Sequence, residues 1–215
     1  MPDVTQEPPV TPEILLRAYA NGYFPMADNQ RSRGLYWFNP EIRAVLPLDR
    51  LHIPRSLEKF MRKKPFEVTV NQAFGDVIHA CANARGKKRK STWINAEIIA
   101  LYTELHEYGH AHSVECWENN QLVGGVYGVS LGGAFFGESM FSTKTNASRI
   151  ALVHLAQGLR EAGYLFIDAQ FENPHLVQFG FQSVPQADYL VMLRQAMKVS
   201  LKASSFFSCE PLSRS

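Results

Sequence analysis

The chain has 215 residues, a formal net charge of +2, 46% hydrophobic residues and 20% charged residues. These values are ordinary for a globular protein that buries a full core, and the net charge is too small to make the whole surface a polyanion-binding face. The N-terminal segment has neither the basic nor the apolar part of a signal peptide, and no apolar run is long enough to cross a membrane. We therefore expect a cytoplasmic protein.

Three cysteines, Cys81, Cys116 and Cys209, lie far apart and show no CxxC spacing. An odd number without metal-ligand spacing favours reduced thiols over a disulfide framework or a zinc ribbon. We expect a structural or surface role for all three, because a free cysteine usually behaves as a small hydrophobic residue.

The first forty residues predict a small N-terminal domain. Thr11 followed by Pro12 is typical of a helix start, and Gly22 suits the helix end. The apolar face of this helix would carry Ile14, Leu15, Ala18 and Tyr19. Residues 23–40 combine turn-forming residues with several aromatics, which indicates a packed irregular segment. We place the domain boundary near residue 40, so that residues 41–215 form the larger domain.

Helices and strands interleave in the first half of the larger domain. We predict strands near 41–48 and 66–70, with a short helix near 55–62 between them. Asn71 and Asn95 are suited to cap the two helices that follow, and Gly109 closes the second. Their apolar positions at helical spacing are Phe74, Val77, Ile78 and Cys81 in the first, and Ile98, Ile99, Tyr102 and Leu105 in the second. The alternating segment HSVECWE then predicts a strand.

The segment from 122 to 173 predicts two glycine-rich strands, one amphipathic helix and a third strand. The helix runs from about 146 to 162, with Asn146 as its cap and Gly163 just past its end. A strand, this helix and the strand YLFIDAQF make a βαβ unit. The whole pattern predicts the α+β class, with a sheet flanked by helices.

Polar residues in this segment fall at the strand ends. Glu138 and Ser139 interrupt the apolar end of the second strand, and Asp168 and Gln170 interrupt the third at a separation of two. Because side chains alternate along a strand, Asp168 and Gln170 are expected to share one face. A carboxylate beside an amide, where apolar residues would pack better, indicates a binding site.

The sequence HEYGH at 106–110 matches HExxH, in which two histidines one helical turn apart bind zinc. Gly109 lies inside the motif, where the helix is expected to stop, and a strand pattern begins directly afterwards. His106 and His110 would then not share a helical face. We therefore interpret the motif as a helix C-terminus with favourably placed histidines.

Eight segments together resemble one family, the leucyl/phenylalanyl-tRNA–protein transferases. They are YANGYFPM, WFNPEIRAVLP, STWI, ELHEYGHAHSVECW, LVGGVYGV, GESMFS, NAS and FIDAQF, and the resemblance extends from about residue 12 to residue 193. It implies a cytoplasmic enzyme without metal or cofactor, whose larger domain is similar to the GNAT acetyltransferase fold. The implied reaction moves Leu or Phe from aminoacyl-tRNA to the α-amine of proteins beginning with Arg or Lys, marking them for degradation.

The resemblance implies roles for the polar residues at the strand ends. Asp168 would orient or polarise Gln170, and Gln170 would accept a hydrogen bond from the attacking amine. Glu138 would recognise the basic side chain of the acceptor or anchor the site, and Ser139 beside it belongs to the same substrate-binding set. Asn173 is carried over as a site hydrogen-bonding residue, although capping of a helix before Pro174 explains it equally well.

The donor-binding residues follow from the same resemblance. Val126, Phe135 and Met140 would form the apolar pocket for the Leu or Phe side chain. Trp93 would stack on the 3′-terminal adenine, while Met26 stands where some family members have a second stacking tryptophan. The tRNA phosphates would meet the basic loop, whose cations are Arg85, Lys87, Lys88, Arg89 and Lys90.

Two other functions remain open at the level of sequence. One is an N-acyltransferase that uses acyl-CoA. The sequence argues against it, because the GNAT pyrophosphate loop would need a glycine between Gly137 and Gly158 and none is present there. The other is a non-catalytic RNA-binding protein, which would need the basic loop and Trp93 but not Asp168 and Gln170.

Overall fold

The computed structural model describes residues 10–32, 34–84, 92–201 and 206–207. The described helices are α1 (Pro12–Ala20), α2 (Arg55–Met61), α3 (Phe74–Asn83), α4 (Ala96–Glu107), α5 (Ala147–Ala162), α6 (Pro174–Val177) and α7 (Gln186–Ala196). The described strands are β1 (Phe24–Met26), β2 (Tyr36–Phe38), β3 (Ile42–Pro47), β4 (Glu67–Val70), β5 (Ala111–Glu118), β6 (Gln121–Leu131), β7 (Ala134–Ser142), β8 (Phe166–Asp168) and β9 (Gln182–Pro185). None of the helices in these ranges is long and apolar enough to cross a membrane.

Seven strands form one sheet in the order β4-β5-β6-β7-β8-β3-β9. Every neighbouring pair is antiparallel except β7 and β8, which run parallel. A parallel pair needs a crossover connection, and α5 supplies it as the predicted βαβ unit. The predicted α+β class is confirmed.

The sheet separates two hydrophobic cores. One core packs α1, α3, α4 and α7 against the sheet, with Tyr19 and Tyr102 among its fully buried side chains. The other packs α2 and α5 and includes Phe207 near the C-terminus. Helices on both faces therefore account for the mixture of apolar and alternating strand patterns.

The N-terminal segment agrees in part with its sequence prediction. Thr11 caps α1 by accepting from the Ile14 N–H, as predicted. Leu15 and Tyr19 are buried, but Ile14 is 44% exposed and does not belong to the apolar face. The segment predicted to be irregular contains the antiparallel pair β1–β2, whose strands of three residues are too short to show alternation in the sequence. The domain boundary near residue 40 stays a prediction.

Of the four predicted N-caps, the one at Asn71 is wrong, and the one at Asn146 is correct in position but makes no side-chain hydrogen bond to the helix. The Asn95 side chain caps α4 through the Ile98 N–H, as predicted. Asn71 does not cap α3, because its Oδ1 accepts from the Ser113 N–H. Asn146 makes no side-chain cap for α5 and has a left-handed backbone at φ 67°. Asparagine suits both caps and left-handed turns, so sequence alone does not separate the two uses.

Gly124 in β6 provides a test of how tightly α5 packs on the sheet. A Cβ placed at Gly124 would lie 2.5 Å from the Ala147 Cβ and 3.0 Å from backbone atoms of Ala147 and Ser148. We expect Gly124→Ala to lower the free energy of unfolding by about 1–3 kcal/mol, because the start of α5 must move. Urea denaturation measures this change.

The control is Gly75→Ala in α3, where a Cβ would meet nothing within 4 Å. We expect this variant to be neutral or stabilised by up to about 1 kcal/mol, because alanine favours a helix over glycine. Equal stability of the two variants would contradict the close approach at Gly124.

Candidate active site

A cleft of about 780 Å³ opens beside the ends of β7 and β8, between strand β1 and the start of α5. We call it the main cleft. Of the residues predicted from the sequence, it is lined by Met26, Trp93, Val126, Glu138, Ser139, Met140, Gln170 and Asn173. Asp168 and Phe135 do not line it. The basic loop at 85–90 lies outside the described residues.

Glu138 lies at the polar end of the main cleft, on β7. Its carboxylate accepts hydrogen bonds from the Tyr19 hydroxyl at 2.6 Å and from the Tyr102 hydroxyl at 3.2 Å. The two hydroxyls also contact each other. Both tyrosines are fully buried, one on α1 and the other on α4. Both tyrosines lie on the apolar helix faces predicted from the sequence, where nothing local marks their hydroxyls, because the shared partner is far away along the chain.

The environment of Glu138 favours its protonated form. Burial raises the pKa of this carboxyl from 4.5 to about 7, while the tyrosine hydrogen bonds lower it. Near neutral pH the side chain therefore exists in both protonation states. A carboxyl of this kind can hold or release a proton next to a bound substrate.

Asp168 is completely buried and forms an ion pair with Arg43 of β3, whose side chain is also completely buried. The Arg43 Nη2 lies 2.8 Å from Asp168 Oδ2, and its Nε lies 3.1 Å from both carboxylate oxygens. The Tyr189 hydroxyl donates to Oδ2 at 2.8 Å. The carboxylate thus points into the protein, and any influence on a substrate in the main cleft passes through neighbouring groups.

Gln170 is connected to Asp168 through its backbone. β8 ends at Asp168, and Gln170 has a left-handed backbone at φ 60°. The prediction that the two side chains share a strand face is therefore wrong, because strand alternation does not extend to Gln170. Its backbone N–H donates to Asp168 Oδ1 at 2.8 Å. Its side-chain Nε2 lies 3.4 Å from Glu138 Oε1, so the amide is at the cleft beside that carboxyl.

The other end of the main cleft is apolar. Val126 and Met140 line it as expected, and six residues that the sequence analysis did not assign to the site join them: Leu152, Leu155, Ile167, Leu176, Phe179 and Phe181. Phe135 lies in the core instead, 5.7 Å from the ring of Phe207. In the sequence, the spacing of Leu152 and Leu155 is compatible with a buried helix face and does not by itself indicate a pocket.

The rim of the main cleft carries aromatic and polar side chains. Trp93 and Met26 are both partly buried, and the exposed ring of Phe171 packs edge-on against Phe24 at 5.5 Å. Asn173 caps α6 by accepting from the His175 N–H. Glu172 is an exposed carboxylate on the same rim.

The HEYGH segment has the geometry expected for a helix end. α4 ends at Glu107, and Gly109 has φ 76°. His106 stacks on Phe74 at 4.3 Å, and its Nδ1 contacts the Ala111 carbonyl oxygen. The two histidines of the motif therefore do not lie one turn apart on a common helix.

Comparison with known families covers most of the chain. The family model for leucyl/phenylalanyl-tRNA protein transferase matches residues 45–194, and the model for its N-terminal domain matches residues 9–41. The chain belongs to the leucyl/phenylalanyl-tRNA–protein transferase family. It is therefore an aminoacyltransferase with an aminoacyl-tRNA and a protein as substrates, and the two other functions left open by the sequence are set aside.

Two transferases of this family illustrate the similarity. A leucyl/phenylalanyl-tRNA–protein transferase of Hyphomonas neptunium is 51% identical over 188 residues, which is 87% of this chain and 72% of that protein. The transferase of Salinibacter ruber is 50% identical over 191 residues, which is 89% of this chain and 82% of that protein.

Solved structures resemble the fold more distantly. The C-terminal domain of a putative lysylphosphatidylglycerol synthetase from Agrobacterium fabrum has a TM-score of 0.46 and 12% identity, covering 91% of this chain and 72% of that chain. A tandem GNAT protein from the clavulanic acid biosynthesis pathway has a TM-score of 0.37 and 12% identity, covering 86% and 62%.

The raised pKa of Glu138 predicts a pH-dependent stability. Because the folded pKa lies above the unfolded value, the stability linked to Glu138 is fully present below pH 4.5 and is lost as the pH rises through about 7. We expect the wild type to lose stability relative to Glu138→Gln across this window, measured by urea denaturation at several pH values.

The matched control is Glu67→Gln on the edge strand β4, where the side chain is exposed. Its stability should follow the wild type throughout the same pH range. A constant difference between wild type and Glu138→Gln from pH 4.5 to pH 8 would contradict the assignment.

Proposed function

We propose that this transferase moves Leu or Phe from its tRNA to the α-amine of cytoplasmic proteins that begin with Arg or Lys, which marks them for degradation. The observation that carries the proposal is the joining, in one cleft, of an apolar pocket with the polar pair Glu138 and Gln170. The pocket fits an apolar aminoacyl side chain, and the pair fits an amine that arrives beside it.

The reaction requires little from the enzyme beyond correct placement of the amine and the ester. The donor is an ester and is already activated, so the amine nitrogen attacks the ester carbonyl and the bond to the ribose oxygen breaks. The proton lost by the amine ends on that oxygen, which leaves the tRNA with a free hydroxyl. An α-amine has a pKa near 7.7–8.0, so a useful fraction is neutral at physiological pH. Correct alignment of amine and ester then supplies a large part of the rate.

Gln170 is proposed to contact the attacking amine. Its left-handed backbone directs the amide to the main cleft, where Oε1 can accept a hydrogen bond from the amine while Nε2 faces Glu138. Asp168 acts on the reaction through the Gln170 backbone, because its carboxylate is enclosed by Arg43 and Tyr189.

The donor is proposed to occupy the apolar end. Met140 and Val126 would contact the Leu or Phe side chain, and the flexible thioether of Met140 suits two side chains of different shape. Trp93 and Met26 would cover the faces of the terminal adenine. The cations of the basic loop would meet tRNA phosphates, which supply affinity without sequence information.

The acceptor is proposed to be selected by the carboxylates of the main cleft. Glu138 is held by two tyrosine hydroxyls, which favours a role in anchoring Gln170 and the α-amine. Glu172 is exposed on the rim, so it can meet the charged end of an N-terminal Arg or Lys side chain without a large desolvation cost.

The proposed reaction is tested with radiolabelled Leu-tRNA or Phe-tRNA and a protein beginning with Arg. Label that stays acid-insoluble after RNase treatment reports transfer. We expect Gln170→Ala to reduce turnover by about 10²-fold, because the attacking amine loses the hydrogen bond that aligns it with the ester, while donor tRNA binding is retained.

The matched control for this experiment is Gln182→Ala, which removes an exposed glutamine of β9 outside the main cleft. It should transfer label at the wild-type rate. Wild-type turnover by Gln170→Ala at saturating donor and acceptor would show that simple juxtaposition of the substrates is sufficient.

Acceptor selection is tested by neutralising each carboxylate. We expect Glu172→Gln to raise KM for an acceptor beginning with Arg by about twofold to fivefold, as is typical for an exposed ion pair, and to leave KM for a donor tRNA unchanged. Glu138→Gln should instead change kcat. The Glu67→Gln variant serves as the control for lost surface charge.

The same variants are then measured with acceptors beginning with an uncharged residue. The difference between Arg and uncharged acceptors should shrink in Glu172→Gln and should also shrink at high salt. An unchanged preference in Glu172→Gln would place recognition of the basic side chain elsewhere.

A further inference from the structure

Arg43 is a completely buried cation that lies outside the main cleft. Its guanidinium donates to both oxygens of Asp168 and, through Nη1, to the Gly22 carbonyl at 2.8 Å. The group lies between two aromatic rings, 4.7 Å from the centroid of Phe24 and 4.5 Å from that of Tyr189. One planar cation thus joins the turn after α1, the end of β8 and helix α7.

This network leads directly to Gln170. Asp168 Oδ1, which faces the Arg43 Nε, also accepts the backbone N–H of Gln170 at 2.8 Å. A left-handed backbone is unfavourable for a residue with a Cβ, so surrounding contacts must hold it. The carboxylate is one such contact through the Gln170 N–H, and the Ala44 N–H, which donates to the Gln170 carbonyl oxygen at 3.3 Å, is another. The direction of the Gln170 side chain therefore depends on the direction of the Asp168 carboxylate.

The chemistry of arginine explains why this residue type is suited to the task. The rigid fork of a guanidinium can face both oxygens of a carboxylate and still donate to a third acceptor, whereas an ammonium is a single point of charge. A buried ion pair usually adds little stability compared with apolar side chains of similar size. Stability alone therefore gives a weak reason for burying both charges beside the site.

We propose that Arg43 is a positioning residue for transfer: it fixes the Asp168 carboxylate, which in turn fixes the left-handed turn that presents Gln170 to the amine. The inference rests on the proposed role of Gln170. Tyr189 assists from the other side, because its hydroxyl donates to Asp168 Oδ2. Arg43 itself touches no substrate.

The experiment separates positioning from stability with a double variant. Arg43→Met alone leaves a buried carboxylate without its partner, and we expect a marked loss of stability. Arg43→Met/Asp168→Asn has no unpaired charge, so we expect most of that stability to return. Transfer should not return with it: kcat should stay at least tenfold below the wild type, with KM for donor tRNA within twofold, because the new amide has lost the guanidinium fork and keeps the Tyr189 hydroxyl and the Gln170 N–H as its partners.

Two milder variants keep the test informative if Arg43→Met does not fold. Arg43→Lys keeps the charge and loses the fork, so we expect a folded protein whose kcat is lowered severalfold. Tyr189→Phe keeps the ion pair and removes one donor to Asp168, with a smaller loss of kcat expected. Arg17→Gln, which breaks an exposed ion pair with Glu13, is the control and should transfer at the wild-type rate.

The proposal is overturned if the double variant regains wild-type kcat together with its stability, or if Arg43→Lys and Tyr189→Phe both keep wild-type kcat. These outcomes leave the proposed function intact, because it is judged on wild-type transfer of label. Absence of transfer by the wild type, with charged donor and an acceptor beginning with Arg, would overturn the proposed function instead.

Discussion

The parallel pairing of β7 with β8 is the constraint on which the site depends. Phe136 is opposite Asp168 in the last registered pair of the two strands. β7 continues beyond this pair with β6 as its other neighbour, whereas β8 ends. The main cleft opens where the pairing stops. Glu138 and Gln170 lie two residues beyond Phe136 and Asp168, respectively, and face each other across this opening. The register of the sheet therefore sets the distance between the Glu138 carboxylate and the Gln170 amide.

The two carboxyl groups beside this opening are accommodated in different ways. Asp168 is paired with the buried guanidinium of Arg43, so the two opposite charges compensate each other. Among the described residues, the hydrogen-bond donors to Glu138 are two hydroxyls and an amide, and burial raises its pKa to about 7. One carboxyl is thus held in a buried ion pair, and the other can change protonation near neutral pH. The difference follows from the surroundings of each carboxyl, a guanidinium beside Asp168 and burial without an ion pair at Glu138, rather than from the residue type.

Local sequence signals predicted the local parts of the structure well. The caps at Thr11 and Asn95 and the βαβ unit depend on neighbours in the chain, and the structure has them. Glu138 and Gln170 were identifiable because polar side chains interrupted apolar strands. The left-handed turn at Gln170 was not predicted, because it depends on a buried carboxylate as well as on local preference.

The partners of the site residues could not be predicted from the sequence either, because they are distant along the chain. Arg43 lies 125 positions from Asp168, and Tyr19 lies 119 positions from Glu138. In the sequence, a tyrosine on an apolar helix face is indistinguishable from one whose hydroxyl serves a distant acid. Only the packing of α1 and α4 against the sheet brings the two hydroxyls to one carboxyl.

Tyr19 of α1 connects the N-terminal part of the chain to the main cleft. Within the first forty residues, the Tyr19 hydroxyl donates to Glu138 and the Gly22 carbonyl accepts from Arg43. The site and its supporting contacts therefore include residues from both sides of position 40. Residues 41–215 would lack both contacts by themselves. An exchange of the first forty residues with those of a relative would therefore also change the surroundings of Glu138 and Arg43.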